Sequence, residues 1–554
     1  MDEDDETPGG DTADPITHAA REVFDYPTLR PGQREAIESV LSGRDTLAVL
    51  ATGAGKSAIY ALAGHLLHAA TLVISPLIAL ENDQLLALER RRGVSAVVIN
   101  SAETASHRRE ALDRLTADSD RPDYVFLAPE QLANADVVRR LAVLQPALVA
   151  VDEAHLVSQW GTDFRPDYLR IAPAVAAIGH PITLALTATA APPVRQEIIE
   201  RLGMHDPSVM VGGFSRANID LAVHAYFTDE SHKLEVIVHD IAEAARGAGH
   251  GIVYAATRRR VEALAGDCAR LGLRAAPYHA GMPAAARLEV EDRFHDGTIE
   301  VVVATIAFGM GIDKADIRWV FHADVPGSLD EYYQEIGRAG RDGASARAVL
   351  YFRSEDLRLP RMYASKAGPS VRSLETTAEA LGEDDPPVSL ADLRRRTRLS
   401  RTLTSAAATA LADAGGLTID ADGRVAVSGR LDQAVANAAE TVRRRRAVER
   451  TRTDTIEAYA EHVGCRWRFL LEYFGEAAPE RCGHCDNDER DAISTDANVR
   501  RPFPRGSRIR HRVFGEGEVV GYVGSWILLM FDRAGYKRLD LELVVSGHLL
   551  ERVA

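Results

Sequence analysis

Three short stretches of this 554-residue chain hold residue types at spacings that could do chemistry. The first is Thr52-Gly53-Ala54-Gly55-Lys56-Ser57, placed between an apolar run, Thr46 to Leu50, and a helix-like segment over 56–69. Glycines in that position let backbone N–H groups approach phosphate oxygens, and a helix start adds its free donors and the positive end of its dipole. Lys56 would reach the β- and γ-phosphates of a nucleotide, and Ser57 would hold Mg²⁺. The strict pattern asks for Gly where Leu50 stands, a departure of one position. Lysine is scarce, with only Lys56, Lys233, Lys314, Lys366 and Lys537, so an ammonium at the one required position carries weight.

The second stretch, Asp152-Glu153-Ala154-His155, closes the apolar run Leu148 to Val151. An acid at a strand end can bind Mg²⁺, usually through its waters. A neighbouring carboxylate can orient and deprotonate an attacking water. The third stretch gathers three of the four cysteines, Cys465, Cys482 and Cys485, with Asp488 at the next position of the same spacing.

These residues need elements to hold them. From about 16 to 212, short β-branched runs (46–50, 72–74, 124–127, 148–151, 182–186) alternate with longer amphipathic segments, which predicts a parallel sheet covered on both faces. A second series over 213–365, with runs at 251–254, 301–303, 319–321 and 348–351, predicts another. The fold class expected is therefore α/β, with two tandem parallel-sheet domains whose ligand sites lie at the carboxyl ends of strands. Residues 366–388 read as a linker; 389–432, as helix, helix and a hairpin turning at Ala421-Asp422-Gly423, read as a winged-helix-like module. Residues 433–490 form an Arg-rich helical segment with the cysteines, 491–504 a second linker, and 505–554 short strands with Gly turns, a small β-barrel.

Composition sets the bounds. Hydrophobic residues make up 46% and charged residues 26%, as in an ordinary globular protein, and no apolar run is long enough to span a membrane. The first fifteen residues carry seven acids and no base, the reverse of a signal peptide, and read as a disordered tail. Few cysteines and no leader predict a cytoplasmic protein in a reducing compartment. The net charge of −16 speaks against a nucleic-acid partner only weakly, because the basic residues cluster at 394–396, 443–446 and 505–512.

Taken in order, the motifs resemble the RecQ DNA helicases of superfamily 2. The resemblance runs through Phe24 to Gln33, the loop at 50–57, Ser75 to Leu80, Asp152 to His155, Thr187-Ala188-Thr189, Ala304 to Lys314 and Gln334 to Gly343. It implies two RecA-like lobes closing on ATP and a 3′-to-5′ helicase acting on single-stranded and branched duplex DNA in repair and recombination, with nucleoid association. Tyr26 would stack on adenine, Gln33 would bond its edge beside Arg30, and Asp313 would lie near the ribose. Arg338 and Arg341 would reach the γ-phosphate as arginine fingers, and His155 would relay nucleotide state to the DNA-facing loops. The Trp160, Phe164 and Arg165 loop would couple single-stranded DNA to hydrolysis, with Thr162 where the family carries histidine.

RecQ chains also place four zinc-binding cysteines at the spacing seen here, so Cys465, Cys482, Cys485 and Asp488 are expected to bind Zn²⁺ as S₃O; the alternative is a metal-free helical hairpin. The order departs from the family, with the winged-helix-like segment ahead of the cysteines and no aromatic at its hairpin tip. The final segment resembles the Tudor-like barrel of some superfamily 1 repair helicases, which implies a protein partner. A DNA-binding adaptor with a regulatory ATPase and an RNA-dependent ATPase are the competing functions.

Overall fold

The computed structural model describes residues 14–76, 88, 93–100, 103–158, 166–226, 230–309, 314–365, 368–382, 385–420, 423–489, 502–504, 507–523, 526–532 and 534–553. Most of the acidic tail, most of the 491–504 linker, the Trp160 loop and Asp313 lie outside these residues. The chain divides into two compact units at Gly213/Phe214.

The first unit is built on seven strands: β1 (Thr46–Leu50), β2 (Thr71–Ile74), β3 (Ala96–Ile99), β4 (Tyr124–Leu127), β5 (Leu148–Val151), β6 (Ile182–Thr187) and β7 (Ser208–Gly212). All pair in parallel, in the order β3-β4-β2-β5-β6-β1-β7. The strands β1 to β5 are buried along their whole length, as expected of a sheet covered on both faces. One face packs the helices Gln33–Leu41 and Lys56–Leu67 onto Ala48, Val73, Phe126 and Leu184. Asp14, expected in the tail, is instead ordered: it caps the helix Pro15–His18 and pairs with Arg34 at 2.6 Å.

The second unit opens with six parallel strands: β8 (Ile219–Ala225), β9 (His250–Tyr254), β10 (Ala275–Tyr278), β11 (Val301–Ala304), β12 (Ile317–His322) and β13 (Ala346–Phe352), in the order β10-β11-β9-β12-β13-β8. The helices of one face bury Ile237, Ile241, Val261 and Leu264 against Val253, Val303 and Phe321. These are two RecA-like domains.

The segment read as a linker, 366–388, instead carries the helix Val371–Glu379, capped by Ser370 and burying Leu374 and Ala378. Its polar composition belongs to the outer face; the apolar spacing of four belongs to a core. That helix precedes β14 (Val388–Ser389), the helices Leu390–Thr397 and Arg401–Asp413, and the hairpin of β15 (Leu417–Ile419) and β16 (Arg424–Val427), with sheet order β14-β16-β15. This is the element order of a winged helix, one helix and one strand longer than the sequence suggested. A long helix, Leu431–Ala460, then leads to the cysteines.

The last segment forms five antiparallel strands, β17 (Arg508–His511), β18 (Gly515–Val523), β19 (Trp526–Phe531), β20 (Gly535–Asp540) and β21 (Leu550–Arg552), ordered β20-β19-β18-β17-β21 around Ile509, Val519, Leu529 and Phe531. No helix among the described residues is long and apolar enough to cross a membrane.

Candidate functional site

In the first unit the strand order places β6 between β1 and β5. The carboxyl ends of these three strands therefore bring together Lys56, Asp152, Glu153, His155 and Thr187, which are far apart in sequence. Gly55 is left-handed at φ 72° and starts the helix Lys56–Leu67 with no side-chain cap, leaving that end available to an anion. A Cβ at Gly55 would meet Gln33 Nε2 at 2.7 Å, so space as well as backbone angle demands glycine. Leu50, where the strict motif has glycine, packs its side chain onto Gly32, and its carbonyl lies 3.5 Å from Lys56 Nζ.

Gln33 is almost fully buried, and its amide is spent on backbone. Its Nε2 donates to the carbonyls of Ala54 and Gly55 at 2.9 and 2.8 Å, while its Oε1 accepts from Arg30 N at 2.8 Å. Gln33 thus braces the phosphate loop against the segment that carries Tyr26 and Arg30. Tyr26 is half-buried and stacks on Phe24 at 6.1 Å; Arg30 is exposed. Gly53 and Ser57 flank Lys56 on the loop and first helical turn.

Asp152 is buried at the end of β5. Burial, and next the charge of Glu153, push its carboxyl up to about 6, while Lys56 pulls it down. A cation beside it would remove that penalty, so the residue fits a metal-bearing nucleotide. Glu153 is held left-handed at φ 47°, a strained position for a residue with a Cβ. Its Oε2 lies 3.3 Å from His155 Nδ1, which also bonds Thr187 Oγ1 at 2.9 Å. Because the Thr187 hydroxyl donates to the Thr189 carbonyl at 3.0 Å, it accepts from His155, and this places the imidazole proton on Nδ1. Tyr168, which the motifs do not single out, donates its hydroxyl to the Asp152 carbonyl at 3.0 Å.

In the second unit Arg338 and Arg341 follow the helix Leu329–Ile336. Their loop is clamped: Gly340 N donates to Ile317 O at 2.8 Å, and its carbonyl accepts from Arg216 and Asn218. A Cβ at Gly340 would come within 2.4 Å of Asn218 Nδ2. Arg338 is buried, with its Nε lacking a hydrogen-bond partner, and Arg341 is half-buried.

The cysteines and Asp488 converge, with one ligand atom from each lying within 4.8 Å of the others. Asp488 Oδ2 accepts from the amides of Cys482 and Gly483 at 2.8 and 2.9 Å, while Oδ1 is buried without a partner. Each sulfur accepts a backbone N–H: Cys465 from Arg468, Cys482 from His484 and Cys485 from Arg466, at 3.4 to 3.5 Å. Three sulfurs that each accept a backbone N–H and one orphaned carboxylate oxygen suit a tetrahedral Zn²⁺. His484 is turned away, its Nδ1 on the Ile219 carbonyl at 3.2 Å.

Trp160, Phe164, Arg165 and Asp313 lie outside the described residues. Tyr168, Tyr254 and His322 were not found by motif, whereas Glu335 lies within the Gln334 to Gly343 stretch. Tyr254 did carry a signal, since it ends a strand at the edge where α/β ligand sites form.

Comparison with known proteins agrees with this geometry. Three family models match: DEAD/DEAH box helicase over residues 30–198, helicase conserved C-terminal domain over 232–343 and RecQ zinc-binding over 428–489. The ATP-dependent DNA helicase RecQ of Pasteurella multocida is 36% identical over 68% of this chain and 58% of its own length. The probable ATP-dependent DNA helicase RecS of Bacillus subtilis is 34% identical over 65% of this chain and 72% of its own. A solved structure of Mycobacterium smegmatis helicase Lhr bound to ssDNA and AMP-PNP superposes with a TM-score of 0.51 at 21% identity, covering 90% of this chain and 68% of that one, which shows the fold. Fold, loop and acidic strand end define a helicase-type nucleotide-binding protein. The chain belongs to the RecQ family of ATP-dependent DNA helicases. It spans 58% of the length of the Pasteurella multocida and Haemophilus influenzae relatives.

Proposed function

We propose that this protein is an ATP-dependent 3′-to-5′ DNA helicase that couples ATP hydrolysis to movement along single-stranded DNA and to opening of branched duplexes. The observation carrying this reading is the meeting of Lys56, Asp152, Glu153 and His155 at adjacent strand ends, in a chain of RecQ descent. Lys56 holds the terminal phosphates, while Gly53, Gly55 and Ser57 shape the cradle. Tyr26, Arg30 and Asp313 hold adenine and ribose, while Gln33, expected at the adenine edge, has its amide engaged by the backbone and braces the loop instead. Magnesium, when bound, neutralises charge on the phosphates, and Asp152 and Ser57 are the residues that would hold it. Glu153 orients and deprotonates the attacking water. Arg338 and Arg341 act as arginine fingers on the charge that develops as the phosphoryl group leaves. His155 passes the state of Glu153 through Thr187 to Thr189, and Trp160, Phe164 and Arg165 report single-stranded DNA by stacking.

Zinc, when bound, gives the cysteine segment its folding energy, and Cys465, Cys482, Cys485 and Asp488 would hold it. The exposed, unpaired Arg394, Arg398 and Arg401 of the winged-helix module support contact with duplex phosphates. The C-terminal sheet takes a protein partner, and the protein works in the cytoplasm on the nucleoid.

Strand displacement on forked, tailed and blunt duplexes tests the reading. Displacement needs ATP and a 3′ tail, and Lys56→Ala abolishes it while DNA binding survives. ATPase stimulated by RNA and not by DNA would replace the reading with the RNA-dependent one; binding without displacement would favour the adaptor.

A further inference from the structure

We propose that Glu197 is a positioning residue that fixes the start of the Trp160 loop to the helix following Thr187-Ala188-Thr189, an inference that rests on the coupling role given to that loop above. Glu197 lies on the helix Pro192–Leu202, whose buried stripe is Val194, Ile198 and Leu202. Position 197 falls on the same face, three residues after Val194, where an apolar side chain is expected. A carboxylate there is buried, which is costly unless it is paired. Its Oε1 accepts from Arg201 Nε at 2.6 Å, one turn along the helix, and its Oε2 accepts from the hydroxyl of fully buried Ser158 at 2.5 Å. The second contact reaches out of the helix to the residue that precedes the Trp160 loop in the chain.

Ser158 is also held from its own side. Its backbone N–H donates to the His155 carbonyl at 3.1 Å, closing the turn Ala154–Val157. His155 bonds Thr187, and Thr187 bonds the Thr189 carbonyl. From there the chain enters the helix, whose Arg195 Nε donates back to the Ala190 carbonyl at 2.8 Å. Contacts and chain thus run from His155 through Thr187, Thr189 and the helix to Glu197, and return through Ser158 to His155, all within the first unit. Beyond the loop, buried Tyr168 donates its hydroxyl to the Asp152 carbonyl, so the chain is pinned at the acidic strand end on that side as well.

This ring explains why a polar pair stands where two apolar side chains would pack. A hydroxyl-to-carboxylate bond is short and directional, and breaking it inside the protein costs a buried carboxylate one of its donors. The helix and the start of the loop therefore move together. A shift at His155 and Thr187 on hydrolysis is carried by the helix to Ser158, and a pull on the loop by stacked bases returns along the same route. The nucleotide's contacts at Lys56 and Asp152 do not pass through the pair, so hydrolysis without DNA does not depend on it.

The test uses the full chain, with ATP hydrolysis measured with and without oligo(dT) for wild type, Ser158→Ala, Glu197→Leu, the double variant of that pair and Trp160→Ala. Ser158→Ala and Glu197→Leu should each lower the oligo(dT)-stimulated kcat by about tenfold, the worth of one hydrogen bond to a charged group, with basal turnover and KM for ATP unchanged. The double variant should lose no more than either single one, because both remove the same contact. With both polar partners gone it should melt closest to wild type of the three, so a return of stimulation in it marks a role in stability alone and overturns the inference. Equal loss of basal and stimulated turnover does the same. Wild-type stimulation in Ser158→Ala and Glu197→Leu beside a defective Trp160→Ala overturns the positioning role and leaves the loop reading standing. Wild-type stimulation in Trp160→Ala overturns the reading of the loop and the inference with it.

Discussion

Trp467 donates its indole N–H to the carbonyl of Ile219, 2.9 Å away, and so fastens the cysteine segment to the edge strand of the second parallel sheet. The attachment continues along β8, where Leu221 N donates to His484 O at 3.3 Å and Val223 N to Asp486 Oδ2 at 3.2 Å. Cys485 itself bridges Leu221. An open sheet edge would otherwise expose a row of unpaired backbone groups, and here a metal-ligand loop covers it.

Trp467→Phe keeps an aromatic ring but removes the donor and the outer part of a buried indole. The Ile219 carbonyl retains His484, so thermal unfolding should show a loss of about 1–3 kcal/mol, the lost donor and the cavity together, with zinc content unchanged. Metal release as complete as in Cys482→Ser would contradict the separation of clamp from ligand.

Asp488→Asn preserves an acceptor for the Cys482 and Gly483 amides and removes the anionic oxygen beside the sulfurs. Competition with a chelator should reveal zinc held more than about a hundredfold more weakly, above the cost of an outer-shell change. Equal retention by variant and wild type would mean that Asp488 braces the loop without ligating.

Gln33→Ala breaks three hydrogen bonds at once and leaves the Ala54 and Gly55 carbonyls short of a donor. The expected destabilisation is about 1–3 kcal/mol, with a raised KM for ATP because the cradle is no longer preorganised. Steady-state kinetics with a melting curve checks both; an unchanged KM would detach Gln33 from the nucleotide.

The buried pair His322–Glu335 gives a pH dependence of stability. Burial raises Glu335 from its ordinary 4.5 to about 8, and burial lowers His322 from 6.5 to about 3. Between pH 4.5 and 8 the folded state keeps a proton on Glu335 that the unfolded chain releases, so this group's contribution falls as pH rises. Between pH 3 and 6.5 the unfolded chain binds a proton at His322 that the folded state refuses, so that contribution rises with pH. The two oppose each other up to pH 6.5, after which Glu335 acts alone and stability should fall by about 2 kcal/mol on reaching pH 8. Glu335→Gln should flatten that limb in chemical denaturation at pH 6.5 and 8. A wild type equally stable at both values would place the ionised carboxylate in the folded protein throughout.

The sequence by itself determined the two α/β domains and the identity of the chemical groups, because buried parallel strands read as continuous β-branched runs and because a phosphate loop, an acidic strand end and clustered cysteines are each local in the chain. It missed β3, β7, β8 and β10, and β7 and β8 are not continuous apolar runs: residues of β7 are half-exposed and β8 carries Asp220 and His224. It also took 366–388 for a linker, since a helix with one buried face can carry the outward composition of a loop. Only the tertiary structure decided that β6 stands between β1 and β5, that Gln33 spends its amide on the loop, and that Tyr254 stacks on His322, which bonds Glu335. Those relationships join residues tens to well over a hundred positions apart, and strand order together with the satisfaction of buried polar groups, neither of which leaves a local signature in the chain, is what brings them into contact.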